Sequence, residues 1–116
     1  MPHFDVFYMR PDFIKNGLLG YKYCKLQNKV PDPKTLGVTH TYVKMLEAES
    51  LDDVFHKMQG EVWSPNGEAR PLMEYLGLNH TSMCVGDVVV SEDGIAHMVD
   101  MFGFKPLNGV LKLIAQ

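Results

Sequence analysis

Residues 80–101 read HTSMCVGDVVVSEDGIAHMVDM, and this stretch decides the fold. The three valines Val88 to Val90 favour a strand, because β-branched side chains pack well on a pleated surface. Glu92-Asp93-Gly94 supplies a tight turn, and Ile95 to Met101 returns with the two-residue period of a partner strand. The stretch therefore predicts an antiparallel hairpin that is entered through the polar segment His80-Thr81-Ser82.

Two further strands and two helices are predicted before this hairpin. His3 to Met9 is expected to be a central strand, because aromatic and β-branched residues occupy both of its faces. Thr39 to Glu47 alternates like a second strand, with a bulge expected near its end. Ser50 to Gly60 has the apolar spacing of a helix, with Ser50 as its N-cap. A second helix is expected from about Glu68 to Leu76, where a glycine cap ends it.

The remaining segments are less regular. Pro11 favours a short helical turn that begins at that residue. Leu18 to Val38 is interrupted by prolines and a glycine and is predicted to be a surface loop. Leu107 to Gln116 fits either a last strand or a short helix. The order of elements predicts one α+β domain over residues 1–116, a mostly antiparallel sheet with two helices packed on one face, in which residues 108–116 are a C-terminal extension.

Composition and charge are those of an ordinary globular protein. Hydrophobic residues make up 46% of the chain, charged residues 22%, and the formal net charge is -3. No apolar run approaches the about 20 residues that a membrane span needs, and no secretory leader is recognisable. Cys24 and Cys84 lack zinc-site or CxxC spacing. Free thiols in a reducing cytoplasm, with no membrane contact, are therefore expected.

The charges are distributed unevenly. Lys15 to Lys34 contains five lysines and one acid, whereas Glu47 to Glu74 contains seven acids and two basic residues. Such asymmetry marks either a partner surface or two solvated faces. Aromatic and basic residues interleave in the first segment: Tyr21, Lys22, Tyr23 and Lys25. This pattern can bind single-stranded nucleic acid, but we prefer the interpretation that the tyrosines anchor a surface loop to the body.

No catalytic or metal-binding motif is recognisable. The five histidines lack HxH, HxxxH or HExxH spacing, and no phosphate-binding glycine loop or GxSxG motif is present. Cys84 or Ser82 can be paired with His80 as a nucleophilic site, with Asp87 nearby. However, Cys84 has apolar neighbours, which is typical of a buried thiol. The sequence favours a non-enzymatic protein with no cofactor and no metal, and a small Cys/Ser-His hydrolase is the alternative.

A polar patch is the strongest candidate for binding. The turn Ser64-Pro65-Asn66-Gly67 follows the only tryptophan. We expect this turn to meet the segment that enters the hairpin at one end of the sheet. The patch would combine aromatic, cationic and polar side chains: Trp63, Asn66, Arg70, His80 and Ser82. Tryptophan and arginine are the residue types that most often anchor protein interfaces.

Three stretches resemble a group of small phage and plasmid proteins. They are FDVFYMRP at residues 4–11, QGEVWSPNGEAR at residues 59–70 and HTSMCVGDV at residues 80–88. In that group an HTSMSVGDV signature precedes a hairpin that ends in an FGF element, here residues 102–104, and part of the signature is similar to the YodL-like domain of mobile-element proteins. Cys84 stands where the group usually has serine, which argues against a catalytic cysteine.

The resemblance covers most of residues 4–107. It implies a phage or mobile-element accessory protein that acts in the cytoplasm of a bacterial host. The leading expectation is that it binds a host or phage protein through the polar patch. The alternative is a nucleic-acid-binding module that uses the segment from Lys15 to Lys34.

Overall fold

The computed structural model describes residues 1–110 of the chain, and one antiparallel sheet organises them. Its strands are β1 (His3–Met9), β2 (His40–Glu47), β3 (Val88–Ser91), β4 (Ile95–Val99) and β5 (Phe104–Val110). The strand order is β2-β1-β3-β4-β5, and every neighbouring pair is antiparallel. The predicted α+β class is confirmed, and β1 has the predicted bounds and an interior position in the sheet.

Short helices cover the sheet. They are α1 (Pro11–Gly17), α2 (Tyr21–Leu26), α3 (Leu36–Thr39), α4 (Leu51–Lys57), α5 (Gly60–Trp63) and α6 (Arg70–Leu76), with a 3₁₀ turn at Pro33–Thr35. Ser50 caps α4 as predicted, since its side chain accepts a hydrogen bond from the Asp53 N–H. Gly77 ends α6 in the left-handed conformation that favours glycine, with φ 71°.

The two predicted helices, α4 and α6, pack on one face of the sheet. The alternate residues Phe4, Val6 and Tyr8 of β1 point to this face. Val54 of α4 and Met73 of α6 are buried against the same cluster. This face was predicted correctly because each helix has a capping residue and an apolar stripe that are recognisable in the sequence.

The opposite face is also covered, which the sequence did not predict. Met9 of β1 and Met98 of β4 point to it, and Phe13, Cys24 and Leu36 from α1, α2 and α3 are buried on it. The prediction that Leu18 to Val38 is a surface loop is therefore wrong. The segment forms two short helices and a 3₁₀ turn. Helices this short are stabilised by packing on the sheet, to which each contributes a buried apolar residue.

Two details at the sheet edges differ from or complete the predictions. The bulge in β2 lies at Val43, between the pairs Phe7–Tyr42 and Val6–Lys44, rather than near the end of the strand. The segment after the hairpin is a strand as far as Val110, so the choice between strand and helix is settled there. The predicted extension thus begins within β5, and the part of it from residue 111 to 116 lies outside the described residues.

Candidate functional site

Several hydrogen bonds tie the segment between α6 and β3 to the helices and to β1. The carbonyl oxygen of Thr81 accepts hydrogen bonds from the Tyr8 hydroxyl at 2.6 Å and from the Trp63 indole Nε1 at 3.1 Å. The Ser82 hydroxyl accepts a bond from the Gly60 N–H at 2.7 Å. The predicted meeting of this segment with the Trp63 region is thus observed, and it is made largely by backbone groups.

Asp87 is the buried polar centre of the segment. Its side chain is completely enclosed. Oδ1 accepts a hydrogen bond from the Met9 N–H at 2.8 Å, and Oδ2 accepts one from the Cys84 N–H at 2.8 Å. A buried carboxylate is tolerable only when its oxygens are bonded in this way. Asp87 therefore fixes the loop to β1 and fixes the path of the loop itself.

His80 lies between Asp87 and Tyr8. Its Nε2 is 3.0 Å from Asp87 Oδ2, and its ring stacks on Tyr8 with the centroids 4.6 Å apart. The other ring nitrogen, Nδ1, is buried and has no hydrogen-bond partner among the described residues. Since Nε2 faces a carboxylate, it is the ring nitrogen that donates a proton, and Nδ1 is left without a hydrogen bond.

Neither candidate nucleophile is activated. Burial raises the pKa of the Cys84 thiol, and the neighbouring Asp87 carboxylate raises it further. A thiol needs a lowered pKa to be a good nucleophile at neutral pH. The hydroxyl of Ser82 is occupied by the Gly60 N–H. The described geometry therefore gives the hydrolase alternative no support.

His80, Cys84 and Asp87 nevertheless form a group that sequence spacing did not reveal. Each offers one possible metal-ligand atom, and these atoms all lie within 4.8 Å of one another. Their HxxxCxxD spacing follows none of the common metal motifs. The group exists because the loop folds back around the Asp87 carboxylate.

A second histidine, His40, is fully buried and contacts the loop at Gly86. Its Nε2 is 2.7 Å from the Gly86 carbonyl oxygen, while its Nδ1 is 2.7 Å from the Thr39 hydroxyl. Both ring nitrogens are thus satisfied, in contrast to those of His80. Burial lowers the pKa of His40, which keeps the ring neutral.

A cavity of about 430 Å³ lies beside this loop. Its walls come from α5, the following turn, α6 and the residues after α6, and they include Ser64, Arg70, Glu74, Asn79 and His80. Its volume is within the range of small-ligand and side-chain pockets. Arg70 is exposed and forms no ion pair in the part of the chain that the structure describes.

The structure places only part of the predicted patch on this cavity. Arg70 and His80 line it together. Trp63 and Ser82 lie next to it, but their polar atoms bond to Thr81 and Gly60 and the tryptophan ring packs against the core. Asn66 is exposed on the turn, where its side chain bonds to Glu68.

The basic segment lies on α1, α2 and the chain that follows them. Its five lysines are all exposed: Lys15, Lys22, Lys25, Lys29 and Lys34. Tyr21 and Tyr23 are half-buried, and Tyr21 packs against the core of the second sheet face. The lysines of the predicted nucleic-acid site are therefore accessible, while Tyr21 is partly used by the fold.

Among the described residues, no helix combines the length and apolar content required to cross a membrane. Comparison of the chain with protein-family models, curated proteins and solved structures finds no match.

Proposed function

We propose that this protein is a non-enzymatic accessory protein of a phage or mobile element that acts in the bacterial cytoplasm by binding a host or phage protein. The observation that carries the proposal is the cavity of about 430 Å³ that Arg70 and His80 both line. The resemblance of the HTSMCVGDV stretch to phage and plasmid proteins supplies the biological setting.

The chemistry of the cavity suits a polar side chain of a partner. Arg70 supplies a cation with several donors, Glu74 supplies a carboxylate, and Ser64 and Asn79 supply a hydroxyl and an amide. Arg70 is the expected anchor, because arginine is enriched among residues that dominate binding energy and this one has no internal ion-pair partner within residues 1–110.

The experiment is quantitative affinity enrichment from infected and uninfected host cells. The tagged wild type is compared with Arg70→Ala and with the control Lys22→Ala, which removes an exposed cation outside the cavity. We expect Arg70→Ala to weaken retention of any specific partner about tenfold, the effect of losing roughly 1.4 kcal/mol. Equal retention by all three proteins, with folding verified by circular dichroism, would reject the cavity as the binding site.

A nucleic-acid-binding module remains the second candidate, because the five lysines of the basic segment are exposed. Binding of a labelled single-stranded oligonucleotide is measured at increasing salt, and phosphate-driven affinity should fall steeply. Lys22→Ala with Lys25→Ala should weaken binding, whereas Lys105→Ala on β5 should not. Affinity that is absent at low salt, or unaffected by these changes, would remove this candidate.

A further inference from the structure

The geometry points to a divalent transition-metal site formed by His80, Cys84 and Asp87, with zinc as the ion that fits its donors best. One nitrogen, one sulfur and one oxygen ligand atom lie within 4.8 Å of one another in a largely enclosed loop. Imidazole, thiolate and carboxylate are the three protein ligands that zinc accepts. The thiolate disfavours magnesium and calcium, which prefer oxygen ligands alone.

The distances need only small adjustments to hold an ion. Zinc bonds of about 2.0–2.3 Å place neighbouring ligand atoms of a tetrahedral site roughly 3.3–3.8 Å apart. His80 Nε2 and Asp87 Oδ2 are already 3.0 Å apart and would separate slightly. The Cys84 sulfur lies within 4.8 Å of the other two ligand atoms, and rotation of its half-buried side chain can bring it closer.

The ligands are held by the surrounding structure. Asp87 is oriented by the N–H groups of Met9 and Cys84, and the His80 ring is stacked on Tyr8. Metal sites depend on such supporting contacts, because they fix the ligand orientation before the ion arrives. An accidental meeting of three exposed side chains would lack them.

The charges and protons balance. An entering ion takes the place of the Cys84 thiol proton, which is released to solvent, and the sulfur binds as thiolate. The Asp87 carboxylate binds as an anion, and the His80 ring binds through Nε2 as a neutral imidazole that carries its proton on Nδ1. Two ligand charges then neutralise the divalent ion within a site that excludes most water.

His80 belongs both to the proposed ligand group and to the wall of the cavity. Its Nδ1 has no hydrogen-bond partner among the described residues. Three protein ligands also leave a fourth coordination position, which is the arrangement of zinc sites that bind a water or a substrate.

The experiment is titration of the purified, reduced protein with Co²⁺ alone. Thiolate ligation gives a sulfur-to-cobalt charge-transfer absorption, which Zn²⁺ should then abolish by displacement. Cys84→Ser should lose this band, whereas the matched control Cys24→Ser should keep it, because Cys24 is not in the ligand group and its thiol donates to the Asn16 carbonyl oxygen instead. Ions that bind the exposed His3, which lies between Glu47 and Glu92, give no such band because no thiol is present there.

A second pair of variants keeps the test decisive if Cys84→Ser fails to fold. His80→Gln should weaken cobalt binding roughly tenfold or more, whereas His97→Gln on β4 should not change it. Absence of the charge-transfer band in folded wild-type protein with excess Co²⁺ would overturn the inference. A band that survives Cys84→Ser, or that disappears in Cys24→Ser, would overturn it as well.

Discussion

Replacement of Asp87 by asparagine tests whether the buried carboxylate holds the loop. The two side chains have nearly the same shape, but asparagine has one oxygen where the carboxylate has two. In the wild type those oxygens accept separate bonds from the N–H groups of Met9 and Cys84, both at 2.8 Å. In Asp87→Asn one of these buried donors loses its acceptor and faces an NH₂ group.

The expected loss of stability can be worked from these bonds. A buried donor without a partner costs about 1–3 kcal/mol. Loss of the negative charge also weakens the remaining bond and the contact with His80 by roughly 1 kcal/mol in total. The expected decrease in the free energy of unfolding is therefore about 3 kcal/mol, a large share of the roughly 5–15 kcal/mol that domains possess.

Urea unfolding followed by circular dichroism measures the difference. With a slope of about 2 kcal/mol/M, the midpoint should fall by roughly 1.5 M. Asp100→Asn is the matched control, because a single oxygen of Asp100 accepts one bond, from the Tyr21 N–H at 3.1 Å, and asparagine can preserve it. We expect the control to lose less than about 1 kcal/mol. A midpoint for Asp87→Asn equal to that of the wild type, or to that of Asp100→Asn, would refute the reasoning.

Three further changes follow from the burial of other groups. Burial lowers the pKa values of His40 and His97. As pH decreases below about 6.5 the unfolded chain therefore takes up protons before the folded chain does, and the free energy of unfolding in urea titrations should fall. A constant free energy of unfolding between about pH 7.5 and about pH 5.5 would contradict this. Burial raises the pKa of Cys84, so the unfolded thiol ionises first and stability should decline above about pH 9, less steeply in Cys84→Ser. Gly86 has a φ of 101°, and a Cβ added there would lie 2.8 Å from the backbone of α1. Gly86→Ala should therefore lower the free energy of thermal unfolding by more than about 3 kcal/mol. Gly77 has open space around it, so Gly77→Ala should cost only about 1 kcal/mol.

Local patterns were sufficient for the elements that carry their own signals. The bounds of β1, the Ser50 cap of α4 and the turn before β4 all depend on residues close together in sequence. In contrast, α2 and α3 have only six and four residues and lack an amphipathic repeat. Their helical form depends on the sheet beneath them, since isolated helices of this length are unstable in water.

The candidate site was predictable in its residue types but not in its connections. Tryptophan, arginine and histidine near a tight turn pointed to the region where Arg70 and His80 share a cavity. The grouping of His80 with Asp87 and Cys84 was not predictable as a ligand set, because Asp87 is positioned by Met9, 78 residues earlier in the chain. The spacing of residues within the segment cannot reveal a contact with a residue so far away in sequence.

The segment from His80 to Asp87 is a structural element in which one buried polar atom, Nδ1 of His80, has no hydrogen-bond partner among the described residues. Most of its polar groups are bound to the fold: Thr81 to Tyr8 and Trp63, Ser82 to Gly60, Met83 to Met58 and Asp87 to Met9. Nδ1 of His80 is the exception in this segment, and it belongs to a residue that lines the cavity. A purely structural role would be served equally well by a side chain that leaves no buried polar atom without a partner. We therefore propose the His80 imidazole as the place where a role beyond folding begins, either in holding an ion or in binding a partner's side chain.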